Sequence, residues 1–246
     1  MSKEKRKKRI KTKKVPLWQR VVPRILHSIV WYPTRLLLKY FMHMEIQGAK
    51  NVAQAAKRAK KEKRAILFIG NHISEFDPIV STMATSPFSP AFPLFWVSRP
   101  GREYKDPDFS WRKYIYGDLF FLAWGAQPLT SRLKDYEKSL MRHSWLLKNG
   151  YSVCIFPEGG YEKKRKSPGG GAGFLAEAWN PILIGIKFSG VEKINSEEFW
   201  GRKRFLKVEF GPALEPKDLL DKSLPVPDRY KEMIKKVFKS VNYEID

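Results

Sequence analysis

The sequence predicts an α/β protein: a mixed, mostly parallel sheet flanked by helices, with an N-terminal amphipathic helical hairpin suited to a membrane interface. Three observations carry this. Short, almost wholly apolar runs recur along the chain and stop at Gly, Pro or Asn, as strands buried on both faces do. The stretches between them place apolar residues at helical spacing, the pattern of crossover helices. A basic, aromatic-rich stretch precedes all of these, too charged to cross a bilayer and too apolar for a linker. With 246 residues and 43% hydrophobic content, the chain can build one sizeable core.

In chain order, residues 1–14 (MSKEKRKKRIKTKK) carry nine Lys or Arg against one Glu. They read as a disordered basic tail, and no apolar run with a small-residue cleavage site follows, so no signal peptide is expected. Residues 15–47 read as an amphipathic helical membrane-association segment. Its longest charge-free run, Ile25 to Thr34, has ten residues, against about twenty for a spanning helix. Pro23 and Pro33 interrupt it, the second separating two helices. Such helices can lie in a membrane interface or pack on a core; the basic tail beside them adds attraction to anionic lipid and favours the interface.

Residues 48–246 form the α/β domain. A polar helix over 48–64 leads into the apolar strand AILFIG (65–70). Asp77-Pro78 starts a helix, with Asp as its N-cap. PLFWVSR is a second strand. Gly125 ends a helix, and AQPLT is a short strand. A helix from Leu133 ends at Asn149-Gly150 and carries His143, which reads as a surface or partly packed residue. YSVCIF (151–156), PILIGIKF (181–188) and LKVEFGPAL (206–214) are further strands, and 226–243 is a closing amphipathic helix. The single cysteine, Cys154, excludes an intramolecular disulfide and a cysteine zinc cluster. It fits a reducing, intracellular setting and reads as a core thiol, with no charged neighbour to lower its pKa. The net charge of +22 attracts polyanions. No nucleic-acid-binding module is visible and the aromatics lie in apolar segments, so an anionic membrane surface is the expected partner and nucleic acid is not.

Chemistry concentrates at strand ends. In NHISEFD, His72 follows the first domain strand and Asp77 stands five positions on. On one helix the two would point about 140° apart; only a bent loop unites them. A carboxylate on one ring nitrogen fixes the tautomer, and the other nitrogen can take a proton from a hydroxyl. With no serine of its own in the motif, the substrate's alcohol would be the nucleophile. The plainer alternative is that Asp77 only caps a helix and His72 is a turn residue. Glu158 and Gly159 follow a second apolar strand, where Glu158 could accept from a substrate hydroxyl or orient a basic residue. Lys163, Lys164, Arg165 and Lys166 suit a phosphate or form a solvated basic loop. PGGGAG lacks the Gly-Lys-Ser/Thr of a Walker loop. Arg132, beyond the strand AQPLT, is a helix-start charge or a phosphate clamp.

In order, these blocks resemble the glycerolipid acyltransferases of the PlsC type, 1-acylglycerol-3-phosphate acyltransferases and relatives, from about Ile66 to Pro216. NHISEFD is similar to the family's Asn-His-x4-Asp block, GAQPLTSR to its Gly-Ala-x-Pro block ending in Arg, FPEGG to Phe-Pro-Glu-Gly-Thr-Arg, NPILIGI to its proline-led strand, and FGPAL to its late turn. The resemblance implies an O-acyltransferase of phospholipid biosynthesis. It would move a fatty acyl group from acyl-CoA or acyl-carrier protein to the hydroxyl of lysophosphatidic acid, without metal or cofactor. The same resemblance makes His72 the base and Asp77 its orienting acid. Arg132 would hold the acceptor's phosphate, Glu158 and Gly159 would shape the acceptor site, and Pro181 would support the acyl side. Gly160-Tyr161 stand where the family has Thr-Arg, so Lys163 or Arg165 would replace that arginine. Arg132 also lies one residue further from Gly125 than in the commonest pattern. Another lysolipid acceptor, or a basic nucleic-acid- or membrane-binding protein without catalysis, is the alternative. The expected location is the cytoplasmic face of a membrane, as a peripheral or monotopic protein.

Overall fold

A computed structural model describes residues 10–100, 114, 117–130, 135–159, 167–192 and 204–244. The described strands form one seven-stranded sheet in the order β1-β7-β6-β2-β5-β3-β4. They are β1 (Glu45–Gln47), β2 (Ile66–Gly70), β3 (Leu94–Ser98), β4 (Ala126–Pro128), β5 (Ser152–Ile155), β6 (Ile182–Ser189) and β7 (Lys207–Leu214). Every pairing is parallel except β6 with β7, so the sheet is mixed and mostly parallel, as expected.

Alternation along the central strands sends side chains into two separate cores. Ile66 and Phe68 of β2 join Leu94, Trp96, Cys154 and Ile184 on one face. Among the described residues that face is covered by α1 (Trp18–Met42), α2 (Ala49–Glu62) and α3 (Asp77–Ala84), with Phe121 packed beside them. Leu67 and Ile69 join Phe95, Val153 and Leu183 on the other. There lie α6 (Met141–Lys148), α7 (Gly171–Trp179) and α9 (Val226–Lys239). The other helices among the described residues are short: α4 (Asp118–Ala123), α5 (Tyr136–Ser139) and α8 (Pro216–Leu219). Cys154 is fully buried in the sheet and burial pushes its thiol up, consistent with a core thiol.

Several elements depart from expectation. The N-terminal hairpin is instead one helix, α1, running through both Pro23 and Pro33. Each proline removes one backbone bond at a cost of about 3 kcal/mol, and side chains flanking them tie the helix to the domain. The Arg20 guanidinium donates to Tyr151 Oη at 2.9 Å, His27 Nε2 to Trp124 O at 3.1 Å, Trp31 Nε1 to Thr85 O at 2.9 Å and Arg35 Nη1 to Met83 O at 2.8 Å. Gln19, Pro23, His27, Leu38 and Met42 form the inward stripe. The expected boundary at residue 47 falls inside the sheet, because β1 pairs with β7. Lys11 and Lys13 of the expected tail lie on the domain, their backbone N–H groups donating to Glu137 Oε1 at 2.9 Å and Met141 O at 3.0 Å. The helix expected through residues 133–148 breaks at Leu140, where Thr130 N–H takes the Ser139 carbonyl at 3.2 Å. The closing helix stops at Lys239, and the chain turns at Asn242 with φ +50°.

His143 is fully buried rather than superficial, its Nε2–H donating to Gln127 O at 3.0 Å. His27 is equally buried among the rings of Phe92, Trp96 and Trp124. Burial depresses both imidazoles from 6.5 to about 4. Between about 4 and 6.5 the unfolded chain therefore binds more protons, so stability present above pH 6.5 is lost as pH falls toward 4. In urea unfolding, each imidazole is expected to cost about 2 kcal/mol between pH 7.5 and pH 5, and His27→Gln should remove its share.

Candidate active site

The site is built where parallel strands end, the usual place for a ligand in such sheets. In the β2–β5 ladder Ile69 faces Ile155, so three residues on His72 comes level with Glu158. In the β3–β5 ladder Trp96 faces Cys154, so Arg99 comes level with Pro157. Three adjacent strands thus deliver His72, Glu158 and Arg99 to one rim.

Asn71 fixes the exit of β2. Its Oδ1 accepts from Phe188 N–H at 2.7 Å and its Nδ2 donates to Phe188 O at 3.0 Å, all buried beyond the last β2–β6 pair. Gly70 lacks a side chain where a Cβ would press on the Phe188 and Phe156 rings at 3.1 and 3.2 Å. The Phe156 ring then supports His72 from beneath, stacked at 4.6 Å and 18°. From above, Glu158 Oε2 accepts the His72 backbone N–H at 2.9 Å.

Asp77 closes the loop. Its Oδ2 accepts from His72 Nδ1 at 2.8 Å, from Ile73 N–H at 2.8 Å and from Ser74 N–H at 3.0 Å. The carboxylate therefore turns back over the loop and makes no cap bond to α3, whose helical residues begin at Asp77 itself. This corrects the expected N-cap role and excludes the plainer reading in which capping is its only work. Asp77 is fully buried, and burial pushes its carboxyl up, opposed by His72 and the two amides. The His72 side chain keeps 17% of its exposure, so its ring borders solvent. With Nδ1 on the carboxylate, the second ring nitrogen, Nε2, can exchange a proton with a hydroxyl.

Gly159 sits exposed at the rim with φ +74°, and its carbonyl accepts from Arg99 Nη2 at 3.4 Å. Arg99 was not among the residues singled out from sequence, although it shows the signal used for Arg132: a lone cation directly after an apolar strand. Arg132, Lys163 and Arg165 lie outside the described residues. Pro181 does not belong to this site. It precedes Ile182, which pairs with Ile66 at the start of β2, and its carbonyl accepts from Arg64 at 3.2 Å. Its level in the sheet is that of Ala65, seven residues or about 23 Å at 3.3 Å per residue from His72. Its place in the fold is the start of β6. Among the described residues no group of three His, Cys, Asp or Glu could hold a metal ion.

An imidazole fixed by a buried acid at the rim of a parallel sheet can draw a proton from a hydroxyl. The family model named Acyltransferase matches residues 43–184, more than half of the chain. The chain belongs to the Acyltransferase family and is an acyltransferase. Among solved structures, the 1-acyl-sn-glycerophosphate (LPA) acyltransferase PlsC from Thermotoga maritima shares the fold with a TM-score of 0.56 at 14% identity, over 88% of this chain and 78% of that one. A comparison with curated proteins gives no match.

Because Asn71 serves both polar groups of Phe188, Asn71→Ala should leave a buried N–H and C=O without partners. The expected cost is about 3 kcal/mol of unfolding free energy in urea.

Proposed function

We propose that this acyltransferase moves a fatty acyl group from a thioester, acyl-CoA or acyl-carrier protein, to the free hydroxyl of lysophosphatidic acid, making phosphatidic acid. The observation that carries this is the 2.8 Å bond between His72 Nδ1 and Asp77. His72 Nε2 takes the proton of the acceptor hydroxyl while Asp77 stabilises the imidazolium. The hydroxyl oxygen bonds to the thioester carbonyl carbon, the C–S bond breaks, and the imidazolium returns the proton to the leaving thiolate. The PlsC likeness supports the acceptor, and so does Arg99 at the rim, a planar donor suited to a phosphate. By the sequence resemblance, Arg132 and Lys163 or Arg165 join it, and Glu158 with Gly159 shapes the acceptor pocket. A second reading, a lysolipid acceptor other than lysophosphatidic acid, is favoured by Gly160-Tyr161 in place of the family's Thr-Arg.

The membrane is the proposed workplace. Among the described residues no helix is long and apolar enough to cross a bilayer. The outer face of α1 nevertheless exposes Ile25, Ile29, Tyr32, Leu36 and Tyr40, with Ile29 and Tyr32 each 69% exposed. Arg24 and Lys39 lie on the same helix, and residues 1–14 add nine cations. An amphipathic helix of this kind lies in the headgroup layer, drawn by anionic lipid.

Two measurements test these statements. Thiol release from oleoyl-CoA, followed with lysophosphatidic acid and with other lysolipids, should fall at least about 100-fold in His72→Ala and Asp77→Asn. Release by the wild type only with the other lysolipids would reject the acceptor, and equal release by His72→Ala would reject the base. Co-sedimentation with vesicles of anionic phospholipid should weaken roughly tenfold in Ile25→Glu/Ile29→Glu and decline with salt; binding unchanged by the pair would reject α1 as the contact.

A further inference from the structure

We propose that Tyr243 is a positioning residue for His72, acting through Glu158. The proposal rests on the reading of His72 as the base. Tyr243 Oη donates to Glu158 Oε1 at 2.5 Å, and the other carboxylate oxygen holds the His72 backbone N–H at 2.9 Å. Glu158 is only 6% exposed, and among the described residues no cation pairs with it. Withdrawn from water, this carboxylate takes one donor on each oxygen, and the phenol supplies the second. Burial and the neighbouring carboxylate push the Tyr243 phenol above its ordinary range, so it keeps its proton and remains the donor.

The phenol is held by a built turn. After α9 the chain bends at Asn242, Tyr243 N–H donates to Phe238 O at 3.1 Å, and the Asn242 carbonyl accepts from Lys187 Nζ at 3.0 Å. The Tyr243 ring meets Phe238 edge-on at 5.0 Å. With Oε1 pinned by this turn, Oε2 has one direction, toward the His72 amide. The imidazole is then fixed twice over: Asp77 and Phe156 hold the ring, and Glu158 holds the backbone that carries it. Without the hydroxyl, the carboxylate is expected to rotate toward water and release the amide.

Full-length wild type, Tyr243→Phe, Glu158→Gln and the double variant are compared by amide hydrogen exchange across Asn71–Ser74 and by thiol release from oleoyl-CoA with lysophosphatidic acid. Phenylalanine keeps the contact with Phe238, so the melting midpoint of Tyr243→Phe should stay near the wild type. Exchange at the His72 amide should quicken about tenfold, and kcat should fall about tenfold with KM within about twofold. In the Glu158→Gln background, the tyrosine substitution should change either readout by less than about twofold. The proposal is overturned by unchanged exchange and kcat in Tyr243→Phe, by an equal loss with and without Glu158, or by faster exchange spread evenly through β2. Should the wild type not use lysophosphatidic acid, the acceptor reading fails alone and exchange decides: faster exchange confined to the loop supports the positioning role, and unchanged exchange overturns it.

Discussion

A carboxylate taken wholly out of water must be met by donors, and Asp77 meets three on a single oxygen. Two of them are consecutive backbone amides, so the acid sets the course of the loop from His72 to Ser74 as well as the tilt of the imidazole. The first turn of α3 is a favourable place for that negative charge. Strand, loop and helix are thereby locked to one another through one atom. The remaining contacts around His72 refine a geometry that this oxygen dictates.

Much of this was legible from residues alone, because it depends on punctuation. Apolar runs closed by Gly-Asn or by Pro-Glu-Gly mark strand ends, and parallel strands place such ends on one rim; His72 and Glu158 were found that way. Pro181 illustrates the converse. A proline that starts a strand and a histidine that finishes one share a sheet yet sit at opposite edges, and a motif's position along the chain does not distinguish them. Arg99 escaped notice although its signal was present, because a lone cation after a strand carries meaning only once its neighbours across the ladder are known.

What resisted reading were features set by tertiary bonds. Pro23 and Pro33 are local arguments for a break, and they lose to side-chain bonds distributed along α1 that no local pattern reveals. His143 sits among Arg142, Ser144 and Trp145, a polar-looking neighbourhood, but the helix turns the imidazole onto the Gln127 carbonyl. Tyr243 and Glu158, which the C-terminal turn brings together, lie 85 residues apart in sequence. Only the folded chain joins them.

Two of α1's tethers end on the backbone of one short segment: Trp31 on Thr85 and Arg35 on Met83. That segment is the far end of α3, the eight-residue helix whose near end presents Asp77. A rod gripped at its tail transmits any tilt to its tip. The angle at which the imidazole's acid stands therefore depends on how α1 sits against the domain.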